Sequence, residues 1–192
     1  ISQSQYPSNQ AFIFDLQRNN YSLMSPISIP HNSTYPSAWY GCHAASSDGE
    51  YIYIVGGQAF PTPNYVFINR TRRFDVETHT ITVLQDMHER KCYISCTVFN
   101  DELYALAGRL NNYTQTNHIE IYNPSTDSWR FADSTMKQRR DFSYSFVHPN
   151  DKWIITLGGV CNLTQSPSEL CFTEYYEPST GVLGVIYIRP CK

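Results

Sequence analysis

A short unit recurs along this chain, and it limits the fold more than any other feature. In its clearest copy, residues 101–136, an apolar strand at 103–107 is stopped by Gly108. A variable loop leads to a second strand at 119–122 with period-two alternation. A Pro- and Ser-containing turn follows at 123–127, and a third strand at 128–131 is anchored on Trp129. Other copies end their first strand on Gly56-Gly57, after Tyr51-Ile52-Tyr53-Ile54-Val55, and on Gly158-Gly159, after Trp153-Ile154-Ile155-Thr156-Leu157. Taking Gly56, Gly108 and Gly158 as the first glycines, the period is about 50 residues. An aromatic followed by a polar residue gives a second landmark: Phe74-Asp75, Tyr122-Asn123 and Tyr176-Glu177, with Phe14-Asp15 as a fourth case lacking a glycine pair. Beyond these aromatics, at one shared interval, stand Tyr21, Ile81, Trp129 and Leu183, so the Trp position decays to other side chains. The pattern predicts an all-β repeat protein in which any helix is a single turn.

Composition agrees with a folded sheet protein. The 192 residues suit one domain, and 41% hydrophobic with 15% aromatic content supplies a core. Fifteen Tyr and ten Phe favour strands. A net charge of -3 gives no global reason to expect nucleic acid as a partner. No apolar run is long enough for a membrane helix, so no membrane insertion is expected. No basic start followed by an apolar stretch is visible, and Ile1 in place of an initiator Met leads us to expect an upstream part.

The unit resembles the kelch repeat, in which about 50 residues form one four-stranded propeller blade. Two stretches are most similar to the kelch-like family, whose chains carry BTB, BACK and kelch domains: M-H-E-R-K-C-Y-I-S-C-T-V-F at 87–99 and E-L-C-F-T-E-Y-Y-E-P at 169–178. Two departures are expected, with Arg109 standing for the second glycine of one pair and Trp absent from three of four equivalent sites. The resemblance implies a partial kelch-type propeller across residues 1–192: a half blade at 11–24 and full blades at about 39–84, 90–131 and 139–188. Asp48-Gly49, Asn100-Asp101 and Asn150-Asp151 would turn the first hairpin of each full blade. Such an arc needs further blades or another chain to close the ring, unless it forms a compact four-bladed body.

Six cysteines, Cys42, Cys92, Cys96, Cys161, Cys171 and Cys191, leave the compartment open. Buried small hydrophobes are one reading. A disulfide between Cys161 and Cys171, which flank one loop, is another, whereas Cys92 and Cys96 lie too far apart along one strand to bond. Asn32, Asn69, Asn112 and Asn162 all head N-x-S/T sequons near loops, a mild excess over chance, with Asn112 and Asn162 at one repeat position. These features allow a secreted or luminal protein against the cytoplasmic setting that the kelch-like resemblance implies.

Catalytic signals are absent from the pattern. The six histidines show no zinc-type spacing, and no nucleophile elbow, phosphate loop or dinucleotide fingerprint occurs, so neither enzyme activity nor a cofactor or metal is expected. Binding is the better reading. Loops on one face carry Phe60, Tyr65 and Tyr113, and recognition commonly sits on loops held by a rigid scaffold. Arg90, Arg109, Arg139 and Arg140 fall near the same face and could fork the carboxylates of a protein or acidic peptide, or pair internally with acids such as Glu89 or Asp141. By resemblance the chain would recognise substrates for a cullin-3 ubiquitin-ligase adaptor. A glycosylated structural or adhesive module is the alternative, and an actin-associated scaffold shares the features of the first.

Overall fold

The computed structural model describes residues 12–15, 20–23, 38–39, 42–46, 49–59, 66–161 and 172–186, the first three of these, with Cys42, His43 and Ala45, by backbone alone. Phe60, Tyr65, Asn32, Asn162 and Cys171 lie outside them. Among the described residues every regular element is a strand.

β1 (Phe12–Asp15) and β2 (Asn20–Leu23) form an antiparallel pair. The next sheet joins β3 (Ala38–Trp39) and β4 (Cys42–Ala45) to β5 (Tyr51–Ala59), followed outward by β6 (Val66–Asp75) and β7 (Ile81–Leu84). After the short β8 (Lys91–Cys92) comes a four-stranded sheet: β9 (Ser95–Phe99), β10 (Glu102–Leu106), then β12 (Ile119–Asn123) and β13 (Ser128–Phe131), with β11 (Arg109–Leu110) splitting off to pair with β8. The last repeat does the same. β14 (Arg140–Asp141) pairs with β17 (Val160–Cys161), while β15 (Tyr144–Val147), β16 (Ile154–Leu157), β18 (Thr173–Glu177) and β19 (Val182–Ile186) make its sheet. The arrangement is that of partial propeller blades, and among the described residues no sheet closes into a barrel.

Turn chemistry follows the residues. Gly49, Asn100, Asp101 and Asp151 all take positive φ in the hairpins between the two inner strands, where a short loop needs left-handed backbone. The glycine pairs need one correction. The left-handed pairs are Gly56-Gly57, Ala107-Gly108 and Gly158-Gly159, with φ of 57–60° at the first members and 93–110° at the second. The interval between repeats is therefore uniform. Ala107 replaces the first glycine, and Arg109 replaces neither; Asn112 and Asn162 consequently do not share a repeat position. Each kink re-aims the chain so that a second short ladder follows it, and in β5 the register shifts between Val55 and Gly57. Space also restricts the kink: a Cβ on Gly159 would lie 2.5 Å from the Asp141 carbonyl oxygen.

The middle sheet is buried on both faces. Leu103, Ala105, Tyr122 and Trp129 pack toward the preceding sheet with Tyr53, Val55, Met87 and Ile94. The alternate residues Tyr104, Leu106, Ile119 and Ile121 pack toward the following sheet with Ile154, Tyr176 and Met136. Period-two alternation thus serves two cores rather than one core and solvent. Trp129 locks the first seam. Its indole N–H lies 2.9 Å from the Gln85 carbonyl and 3.0 Å from Thr71 Oγ1, and its ring sits 5.3 Å from that of Tyr122. Asp127 ties the same seam by accepting the Gln85 N–H at 2.9 Å and the Tyr122 hydroxyl at 2.7 Å.

Two outcomes follow from this seam. Trp129→Ala should cost about 3–5 kcal/mol in a denaturant titration, as for other buried large aromatics. The Asp127 carboxyl is held below its usual range by the Gln85 amide first and the Tyr122 hydroxyl second. A depressed folded pKa gives stability that is present above the ordinary Asp range and is lost as pH falls through the depressed value. The unfolding midpoint should therefore drop on acidification through that window, and Asp127→Asn should flatten the drop; an unchanged acid limb in the variant would contradict the assignment.

Candidate functional site

The strand order sets two ends for every sheet. Connections 107–118 and 132–143 emerge at one end, and the tight turns at 100–101 and 124–127 emerge at the other. The first end carries most of the sequence-predicted binding residues, and the fold treats them unequally.

Arg140 belongs to the interior. It is fully buried beside Glu174, to which its Nη2 donates, while its Nη1 donates to the Gly158 and Phe172 carbonyls at 3.1 and 2.8 Å. Glu174 also accepts the backbone N–H of Lys137 at 2.7 Å and of Gln138 at 3.1 Å. Burial pulls the Arg140 guanidinium below its usual range, and Glu174 opposes that pull. The expected rim role of Arg140 is therefore corrected: its charge is spent inside the repeat. The preceding repeat uses Lys91 and Glu120 in the same way, with Nζ and Oε1 3.0 Å apart, both side chains fully buried, and the His88 N–H donating to Glu120 at 2.7 Å.

Arg109 is also largely committed. Its Nε lies 2.5 Å from Oδ2 of the fully buried Asp141. Gln115 Nε2 supports the same carboxylate at 2.9 Å and the Val160 carbonyl at 2.6 Å. The guanidinium carbon sits 5.5 Å from the Tyr93 ring centroid and 5.8 Å from that of Phe142, and these two rings stack at 4.0 Å. Tyr93 and Phe142 occupy equivalent repeat positions, and both adopt left-handed backbone, with φ of 54° and 55°. Bulky residues rarely tolerate that region, so the packing around them must hold it.

The remaining residues face solvent. Arg90 and Arg139 are exposed and form no ion pair with another described residue. Tyr113 is 62% exposed and packs its edge on Phe67 at 5.5 Å, in a loop that Asn111 fixes to the Phe67 N–H at 3.2 Å. Sequence reasoning missed Phe142 and Tyr144, exposed by 54% and 67%, and Phe172 beside the Arg140 anchor. The legible signal was the repeat itself: Cys92-Tyr93 and Asp141-Phe142 put an aromatic after the same short strand. At the opposite end a groove of about 270 Å³ is lined by Tyr104, Tyr176, Lys152 and Arg130, but Glu102 already forks Arg130 at 2.7 and 2.9 Å.

Among the described residues no group of three His, Cys, Asp or Glu side chains could hold a metal. Cys92 is a free, buried thiol, and burial first, with Asp141 adding to it against Arg109, pushes it up to about 12. Cys96 and Cys161 are disulfide-bonded, each to a cysteine whose side chain is not described. Asn69 lies within β6, and Asn112 is exposed in the loop of Tyr113.

Comparison with known proteins agrees with this architecture. The kelch motif matches residues 40–88 and 90–136, half of the chain. The chain is 26% identical over 178 residues to kelch repeat and BTB domain-containing protein 2 of cowpox virus, covering 80% of this chain and 30% of the relative. It is 27% identical over 140 residues to alpha-scruin of Limulus polyphemus, covering 71% of this chain and 15% of the relative. Human kelch-like protein 15 is 25% identical over 165 residues, with 77% and 25% covered. The chain thus spans under a third of the length of these relatives.

Two measurements probe the site. Arg109→Ala leaves the buried Asp141 short of a charged donor, so the unfolding free energy should fall by about 1.5–3 kcal/mol, the worth of hydrogen bonds to charged groups. Under mildly alkaline conditions Cys92 should resist alkylation in the native protein and react only in denaturant; rapid native labelling would contradict its burial.

Proposed function

The chain belongs to the kelch-repeat family, and we propose that it works as a non-catalytic protein-binding part of a propeller, using the end formed by 107–118 and 132–143 as its contact face. The observation that carries this reading is the pair of exposed aromatics, Phe142 and Tyr144, beside a stacked Tyr93–Phe142–Arg109 floor held by a buried carboxylate. Rigid aromatic anchors with a supporting arginine are the side chains that most often dominate interfaces.

The chemistry of the partner shifts accordingly. Arg140 is paired with Glu174 and Arg109 with Asp141, so of these four arginines Arg90 and Arg139 keep their charge facing solvent. An acidic peptide therefore gains less from this face than four free arginines would offer, and exposed charge chiefly sets on-rate and salt dependence. An apolar or aromatic protein segment fits better.

The finer reading, substrate recognition for a cytoplasmic cullin-3 ubiquitin-ligase adaptor, is supported by the relatives whose names join kelch repeats to a BTB domain. A second reading, a secreted or luminal module, is favoured by the disulfides at Cys96 and Cys161. The contact face is common to both.

A photo-crosslinking side chain placed at Tyr144 in the complete protein should capture a partner, and one placed at Val83 on the outer strand β7 should not. Phe142→Ser should abolish capture from Tyr144 with little change in unfolding midpoint. Equal capture from both positions would overturn the assigned face. Co-purification of the complete protein with cullin-3 would support the adaptor reading, and its absence alongside intact capture would remove that reading alone.

A further inference from the structure

Two of the four sequons lie among the described residues, and the fold treats them in opposite ways. Asn69 is half-buried in β6, where its Nδ2 donates to the Met87 carbonyl at 2.7 Å. Its sequon partner Thr71 is fully buried, and Thr71 Oγ1 accepts the Trp129 indole N–H at 3.0 Å. A glycan on Asn69 would have to break the tie to Met87 and open the strand next to the Trp129 seam.

Asn112 is presented outward. It lies in an exposed turn closed by the Tyr113 N–H on the Leu110 carbonyl at 2.8 Å. The Thr114 hydroxyl donates to Asn112 Oδ1 at 2.6 Å, and the Thr114 N–H reaches the same oxygen at 3.1 Å. Both contacts fall on the carbonyl oxygen, so the amide nitrogen has no partner among the described residues. The threonine required by the sequon thus already contacts the asparagine it serves. A separate observation concerns redox state: Cys96 and Cys161 are disulfide-bonded, and disulfides persist in the oxidising compartments where sequons are also used.

We infer that Asn112 is an N-linked glycosylation site and Asn69 is not, in a protein that folds in an oxidising compartment. In the transfer, Asn112 Nδ2 bonds to the anomeric carbon of an oligosaccharide carried on a lipid diphosphate. The anomeric carbon–oxygen bond breaks, the lipid diphosphate leaves with its electron pair, and the amide loses one proton. The glycan would stand beside Tyr113 and shade that side of the contact face, leaving Phe142 and Tyr144 as its open part.

The test uses the protein expressed from its complete natural reading frame in eukaryotic cells. Peptide N-glycosidase converts each occupied Asn to Asp, and mass spectrometry of the peptides reads the conversion. The expected result is conversion at Asn112, none at Asn69, and no labelling of Cys96 or Cys161 by a thiol reagent in denaturant without reductant. Thr114→Val should abolish the conversion at Asn112 and Thr114→Ser should keep it, with unfolding midpoints unchanged. An unmodified Asn112, a converted Asn69, or labelled Cys96 and Cys161 in the unreduced protein would each overturn the inference.

Discussion

Arg140 has no contact with water, and a guanidinium withdrawn from water must be met by acceptors on several sides. Glu174, Gly158 and Phe172 supply them from the same repeat. That requirement pins the segment entering the sheet against the kink at Gly158-Gly159 and against β18. It also places the next residue, Asp141, where it can take Arg109 from the neighbouring repeat. The strained backbone of Phe142 follows directly after. One buried charge therefore fixes the end of the blade, the link to its neighbour and the aromatic floor of the proposed contact face. Lys91 and Glu120 repeat the device one blade earlier, ahead of Cys92 and Tyr93.

The same pairing decides what the face can recognise. Charges already neutralised within a protein contribute little to attracting a partner, so Arg109 and Arg140 act as supports. The rings they steady, chiefly Phe142, carry the exposed apolar area. On the proposed contact face, recognition would then depend on shape and aromatic burial, with Arg90 and Arg139 adjusting approach from solution. The opposite end lacks this option, because Glu102 occupies the arginine that its groove offers.

Redox state and surface position bear on the setting of the module rather than on its fold. The seam between the sheets of β5 and β10 is closed by Trp129, Tyr122 and Asp127, and the disulfide-bonded Cys96 packs against the same core. An outward Asn112 beside Tyr113, if glycosylated as inferred above, would change which part of the proposed contact face a partner can reach.

Much of the architecture was legible in the residues. The spacing of Phe74, Tyr122 and Tyr176, the alternation at 119–122 and the hairpin pairs Asn100-Asp101 and Asn150-Asp151 are local features, and local backbone preferences answer to local sequence. The burial of Trp129 followed from the same repeat. The true glycine register did not, because Ala107 can be forced to a φ of 57° by surrounding packing that no single residue announces. The roles of the arginines were equally hidden. Arg140 meets Glu174 and Arg109 meets Asp141 across more than thirty residues of chain. Whether an arginine faces a partner or a buried carboxylate depends on which acid the folded backbone delivers to it. Sequence by itself determined the blade pattern through short-range periodicity; tertiary structure decided which charges were spent inside and which rings were left outside.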